Sequence, residues 1–395
     1  VEAAEIVYVL ASPAEPRGHG KRDGGMPMST KLKAVLSVIL IILFMGSSAG
    51  LILTFTSGNG GEVSAEPKLE VKLYPMEEIL TCAYKSYGVD EASMYAAKTI
   101  IKNVGDVPVK NFRISYKIEG FCEWSSTEVY PVIVPGETVR DYCFPNFFEE
   151  KIKELTTKTP AELIMQYEYE GLDEPVVDTE KIFLLGKNDF VFTSLPEEDI
   201  LTFADAFDNY PMLAAFVTPN EETVKSVANA IASGLATNTS DEDALTAFLR
   251  CFQALRELGV SYIQEPESYW SERTAQYVQY PHETLSRKSG TCLDLALCMA
   301  ALMEAVGIRS YVALIPGHAV PLIELPISGD LYAIESTFVD REFAVSHYPG
   351  MVSAEVTPEE CLSIAAEAIT SAMEEGNYIL VDIEAEWEKG MMPIW

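Results

Sequence analysis

Three residue types that together can break an amide bond follow one another in the C-terminal half of the chain: Cys292, His318 and Glu335. In such a set a thiolate attacks acyl carbon, an imidazole moves the proton, and a carboxylate fixes the tautomer of the imidazole. Cys292 comes after the turn-like Ser289-Gly290-Thr291 and opens the run LDLALCMAALMEAVG, where Leu295, Met299, Leu302 and Val306 fall on one helical face and Gly307 ends the helix. A cysteine at a helix start lies beside unpaired amides and the positive end of the dipole, which favour the anion. A lone cysteine is more often a buried apolar residue than a nucleophile, so the reading rests on the residues C-terminal to it.

The spacing predicts strands over 310–315, 319–325 and 331–337, with Gly317-His318 as a break and PISGD as the turn before the third. On that layout a helix packs on an antiparallel sheet. His318 opens one strand and Glu335 lies on its neighbour, close enough to orient the ring while the other ring nitrogen faces the thiol. Gln279, or Gln276, is the expected oxyanion donor beside the backbone N–H of Cys292. His282, after Pro281, and His347, in a loop-like HYPG stretch, are reserve bases. Cys292, Cys298, Asp294 and His318 make a poor zinc set, because C-x5-C on a helix is a poor ligand spacing and the intervening faces are apolar. Neither a metal nor a cofactor is expected.

The elements before this core divide into two kinds. Phe112, Ile114, Tyr116 and Ile118 alternate with polar residues, as do Leu163, Met165, Tyr167 and Tyr169, which predicts half-buried antiparallel strands. Turn signals at Asn103-Val104-Gly105-Asp106 and Pro135-Gly136 separate such runs at the spacing of a β-sandwich. Beyond about Leu195 the period becomes helical. Thr218-Pro219-Asn220-Glu221 reads as a capping box, leading into a stripe of Val224, Val227, Ala228, Ile231 and Leu235. A second helix opens after Ser240 or Asp241, buries Leu245, Phe248, Leu249 and Phe252, and stops at Gly259.

The chain of 395 residues is 48% hydrophobic, enough for a sizeable core in two or three domains. Its formal net charge of -32 repels nucleic acid and excludes that class of partner. Seven cysteines are few for a disulfide scaffold and odd in number, although Cys122 and Cys143 in the strand-rich part could pair. The uncharged run from Ala34 to Thr56 exceeds the roughly 20 residues a helix needs to span a bilayer. Arg17, Lys21, Arg22, Lys31 and Lys33 before it would stay in the cytoplasm, which places everything after Thr56 outside the cell membrane. Cleavage near Ser47-Ser48-Ala49 is the alternative to a retained anchor. The first residue is Val1, with Met26 and Met28 as other possible starts. The expected organisation is therefore a basic N-terminus over 1–33, a transmembrane helix over 34–56, a Gly-rich linker over 57–67, a β-sandwich over 68–186 and an α+β domain over 195–395.

Two stretches resemble known families. NVGDVPVKNFRISYKIEG followed by VPGETV resembles immunoglobulin-like modules of exported prokaryotic proteins, across about 68–186. SGTCLDLALCMAALMEAVGIRSYVALIPGHA through YAIESTF resembles the transglutaminase-like superfamily of Cys-His-acid enzymes, with a papain-like core, from roughly Asp199 to the end. That resemblance implies Cys292 as nucleophile, His318 as general base and Glu335 as the acid, where the family usually has Asp. It also implies a supporting role for Asp294, two places after the nucleophile. The expected function is a membrane-anchored enzyme acting on amide bonds as a peptidase, amidase or acyl transferase. Its substrate would be a protein, peptide or cell-wall polymer outside the membrane. An inactive core serving as a surface binding or structural module is the alternative.

Overall fold

Alternation of apolar and polar residues in the N-terminal part resolves into strands with one buried and one solvated face. The computed structural model describes residues 67–89, 94–264 and 275–395, which belong to one compact unit. In chain order the first strands are β1 (Leu69–Pro75), β2 (Glu78–Ile79), β3 (Ala97–Asn103), β4 (Val109–Ile118), β5 (Glu128–Ile133), β6 (Thr138–Cys143), β7 (Thr159–Glu168) and β8 (Val176–Leu184). They form a three-stranded sheet, β1-β3-β6, and a mixed five-stranded sheet, β2-β8-β7-β4-β5, in which β2 runs parallel to β8. The Tyr116 hydroxyl on β4 bridges the two sheets, 2.7 Å from Asp141 Oδ2 on β6 and 2.8 Å from Thr99 Oγ1 on β3. Cys122 and Cys143 are free thiols, as are the other five cysteines, and burial pushes the Cys122 and Cys143 thiols up.

The C-terminal part is organised around one helix. After the short α1 (Glu149–Glu154) come α2 (Glu222–Ile231), α3 (Asp241–Glu257), α4 (Pro281–Arg287) and α5 (Cys292–Glu304). Every residue of α5 from Cys292 to Met303 is buried, so its apolar character extends all round, as expected of a helix with neighbours on every side. Beyond the two-residue strands β9 (Asp189–Phe190), β10 (Ser261–Tyr262), β11 (Gln276–Tyr277) and β12 (Ser289–Gly290) come β13 (Ser310–Ile315), β14 (His318–Glu324), β15 (Leu331–Ala333) and β16 (Ile379–Asp382), and these last four form the antiparallel sheet on one side of α5 in the order β15-β14-β13-β16. Helices α2, α3 and α4 pack on α5 as well. The opposite sheet face, with Tyr311, Ala313, Val320 and Leu322, is covered by Ala365, Ile369 and Ala372 of the helix Pro358–Glu375. Both faces are thus buried, which accounts for the unbroken apolar run of β13.

Local chemistry shifts some expected boundaries. Helix α2 begins at Glu222, because the Glu221 side chain, rather than Thr218, caps it by accepting from Val224 N at 3.0 Å. Helix α3 starts after Ser240, whose hydroxyl accepts from Asp243 N. Gly259, at φ +73°, lies just beyond its end.

The single transmembrane helix is corrected. The described fold is α+β with mixed sheets, and among the described residues no helix is long and apolar enough to cross a membrane. The helix that is apolar all round, α5, has 13 residues, whereas a span needs about 20. The run 34–56, the N-terminus over 1–33 and the linker up to residue 66 lie outside the described residues.

Leu295 is fully buried in α5, so Leu295→Ala is expected to lower unfolding free energy by about 2–5 kcal/mol through lost transfer energy and a residual cavity. Leu201→Ala, at an exposed site, should change it by less than about 0.5 kcal/mol. Denaturant titrations of the two variants check this.

Candidate active site

The start of α5 is fixed by reciprocal capping. Thr291 Oγ1 accepts from Asp294 N at 3.2 Å, and Asp294 Oδ2 accepts from Thr291 N at 3.0 Å. Asp294 is 1% exposed and also accepts from Gln279, from its backbone N at 2.7 Å and its Nε2 at 3.0 Å. Burial raises the Asp294 carboxyl above the usual range, and these hydrogen bonds work against that rise. Gly290 leaves room for the arrangement, since a Cβ there would lie 2.8 Å from Asp294 Cβ. Cys292 is therefore the first residue of a helix whose opening turn is locked, and it is 7% exposed. With the amides of Thr291 and Asp294 used by the cap, those of Cys292 and Leu293 take no partner among the described residues.

His318 is the first residue of β14 and pairs with Ile315 across a two-residue turn, Pro316-Gly317, with Gly317 at φ +70°. Antiparallel pairing brings the ring beside the start of α5, where Cys292 is close enough to favour its charged form. Its Nε2 lies 2.8 Å from Glu335 Oε2, which leaves Nδ1 as the nitrogen for sulfur. The other carboxylate oxygen of Glu335 accepts from Thr337 N at 3.1 Å and from Thr337 Oγ1 at 2.5 Å. Glu335 N in turn donates to Cys361 O at 3.1 Å.

Electrostatics make Glu335 and His318 a charged pair. Burial opposes the imidazolium, but the Glu335 carboxylate, the hydrogen bond to it and the nearness of Cys292 outweigh it and raise His318 well above its ordinary 6.5. Burial likewise opposes the Glu335 carboxylate, and His318 with the Thr337 bonds overcomes this, holding Glu335 below its ordinary 4.5. Desolvation pushes the buried Cys298 and Cys361 thiols up to about 12.

The structure thus brings Cys292, His318 and Glu335 together, with two changes to their expected surroundings. Glu335 lies beyond the end of β15, at the cap of the 3-10 turn Ser336–Val339, because its own side chain accepts from Thr337 N and bends the chain out of the strand. Gln279 does not serve as an oxyanion donor in this arrangement. Its Nε2 hydrogens go to Ser289 O at 3.1 Å and to Asp294 Oδ2, making it a brace for the helix start. Gln276 lies buried on the short strand Gln276–Tyr277. His282 is removed from the pair, packed between the rings of Tyr280 and Trp395, and burial lowers its basicity. His347 is exposed at the end of the helix Arg341–His347, bonded to Ser346 and Phe343. Sequence reasoning misses Thr337, although a hydroxyl two places after an acid in Glu335-Ser336-Thr337 is a local capping signal. It also sees Thr291 only as part of a turn, yet Thr-x-x-Asp is a capping pattern.

A cavity of about 720 Å³ lies elsewhere, walled by residues such as Met76, Tyr87, Val191, Asn209 and Met212. None of the three candidate residues lines it, so the site is located by side-chain geometry. Among the described residues no cluster of three or more His, Cys, Asp or Glu is arranged to hold a metal ion. No protein-family model matches the chain, and no curated protein matches it significantly.

The pair has a definite pH signature. The raised His318 contributes stability fully below 6.5 and loses it as pH rises through its folded value, while the lowered Glu335 contributes fully above 4.5 and loses it as pH falls. The stability gap between wild type and Glu335→Gln is therefore expected to be widest between 4.5 and 6.5, on the order of 3 kcal/mol, and to narrow on both sides. Unfolding free energies measured across pH for both proteins check this.

Proposed function

We propose that the chain is a cysteine enzyme of the transglutaminase-like kind that opens amide bonds through a covalent thioester. The observation that carries the reading is the chain of contacts from Thr337 through Glu335 and His318 to Cys292, ending at a helix N-terminus. Each link has a chemical purpose. Thr337 holds one oxygen of Glu335, so the other is aimed at His318 Nε2 and stabilises the imidazolium. The imidazolium stands beside the Cys292 sulfur, which attacks as the thiolate once its own proton has gone to the His318 ring.

In the forward step the Cys292 sulfur bonds to the amide carbon, and the carbonyl π electrons move to oxygen. The amides of Cys292 and Leu293, which take no partner among the described residues, are the candidate donors to that oxyanion. Collapse breaks the C–N bond, and His318 hands its proton to the departing amine, leaving a thioester and a neutral imidazole. An incoming water or amine then gives its proton to His318 as it attacks the thioester carbon, and sulfur leaves as thiolate, regenerating the pair. Water as acceptor makes the protein a peptidase or amidase, and a lysine amine makes it a cross-linking acyl transferase. Glu335 is longer than the Asp usual in the resembling family, and the Thr337 bonds compensate by fixing where the extra methylene places the carboxylate.

Full-length protein tested against a panel of peptide and side-chain amides is expected to release amine. Turnover should fall by about 10³–10⁴-fold in Cys292→Ala and by a comparable order in Glu335→Gln, as when a triad acid loses its charge. Hydroxylamine should trap the thioester as a hydroxamate in the wild type alone. Equal turnover in wild type and Cys292→Ala, or a thiol alkylator that labels Cys292 no faster than buried Cys251 and Cys298, would contradict the proposal.

A further inference from the structure

The outward face of the β1-β3-β6 sheet is laid out in rows by its register. Tyr74, Lys98 and Tyr142 stand side by side, then Lys72, Ile100 and Arg140, then Glu70, Lys102 and Thr138. Side chains alternate along each strand, and the intervening positions, such as Thr99, Ile101, Asp141 and Cys143, are buried between the sheets. The outward face gathers Lys72, Lys98, Lys102 and Arg140 on a chain whose net charge is -32. Glu70, its carboxylate, pairs with Lys72 at 2.7 Å. Lys98, Lys102 and Arg140 form no ion pair among the described residues.

Aromatic rings are interleaved with these cations. Tyr142 packs between Tyr95, at 5.1 Å between ring centroids, and Phe144, at 6.2 Å and nearly coplanar. The Lys98 ammonium lies 5.8 Å over the Tyr74 ring. Tyr74, Tyr142 and Phe144 are all exposed. Phe144 is seated against bare backbone at Gly88, where a Cβ would come within 2.9 Å of Phe144 Cβ. A face kept only for solubility in so acidic a chain would carry carboxylates and few rings. Cations of neighbouring rows on adjacent strands, such as Lys98 and Arg140, are diagonal neighbours at about 7–8 Å, and beside flat exposed rings they fit a polymer that alternates apolar ring faces with anionic groups.

We infer that this face binds an acidic polysaccharide, with sugar-ring faces stacked on Tyr74, Tyr142 and Phe144 and carboxylates held by Lys98, Lys102 and Arg140. An acidic peptide supplies the charge without the ring faces. A polynucleotide supplies both, but its dense phosphate charge is opposed most strongly by the acidic remainder of the chain. The inference is independent of the reading of Cys292.

Affinity electrophoresis of the full-length protein in gels containing polygalacturonate, polyglutamate, oligodeoxythymidylate or dextran tests it. Retardation is expected in polygalacturonate alone, weakened about tenfold or more by Tyr142→Ala and by Lys102→Glu, with unchanged unfolding midpoints and no effect of Cys292→Ala. Absence of retardation in polygalacturonate overturns the inference, as does equal retardation by polyglutamate or oligodeoxythymidylate. It is also overturned if polygalacturonate binding survives both substitutions while Lys102→Glu dissociates a dimer in sedimentation, which would make the face a contact between copies of the chain.

Discussion

A buried carboxylate and a partly buried imidazolium both lose hydration, worth several kcal/mol where burial is complete, and they stay charged only if their lone pairs and protons find partners. Glu335 and His318 meet that condition. One carboxylate oxygen faces His318 Nε2, the other takes two donors from Thr337, and the remaining ring nitrogen is left for Cys292. Three elements must then hold fixed positions relative to one another: the start of α5, the start of β14 and the 3-10 turn after β15. Much of the C-terminal architecture can be understood as the means of holding them there.

The helix supplies the deepest constraint. Because α5 is buried on all sides, it cannot rotate or slide without repacking the sheet on one side and α2, α3 and α4 on the other. Its first turn is locked as well, by Thr291, Asp294 and Gln279 acting as one hydrogen-bonded brace. The sheet behind it is covered by the long helix Pro358–Glu375, so β13 and β14 are held from both faces. Preorganisation of this kind is what a covalent mechanism requires, since an ångström of displacement at the reacting atoms costs orders of magnitude in rate.

Legibility in the sequence tracks the range of the interactions. The start of α5 and the alternation of β4 and β7 are local patterns, and both can be read along the chain. The association of Cys292, His318 and Glu335 comes from counting elements between them, because short connections force an antiparallel order. What cannot be read depends on individual side chains finding distant partners. Gln279 has the look of a free amide donor along the chain, yet Asp294, fifteen residues on, claims it. Glu335 continues a strand pattern in Leu331–Thr337, but its bond to Thr337 N turns the chain out of the sheet. Glu221 displaces Thr218 as the cap of α2 for a similar reason, a carboxylate reaching the amide of Val224. The basic and aromatic rows of β1, β3 and β6 are hidden because they exist only in the register across three separated strands.

The central claim is that His318 is held as an imidazolium by Glu335 beside Cys292, and the most direct measurement is an NMR titration of the His318 ring in the wild type and in Glu335→Gln. The account predicts that the wild-type ring stays protonated well above 6.5 and that the substitution moves its titration downward. A His318 ring that titrates as an ordinary histidine in both proteins would contradict it.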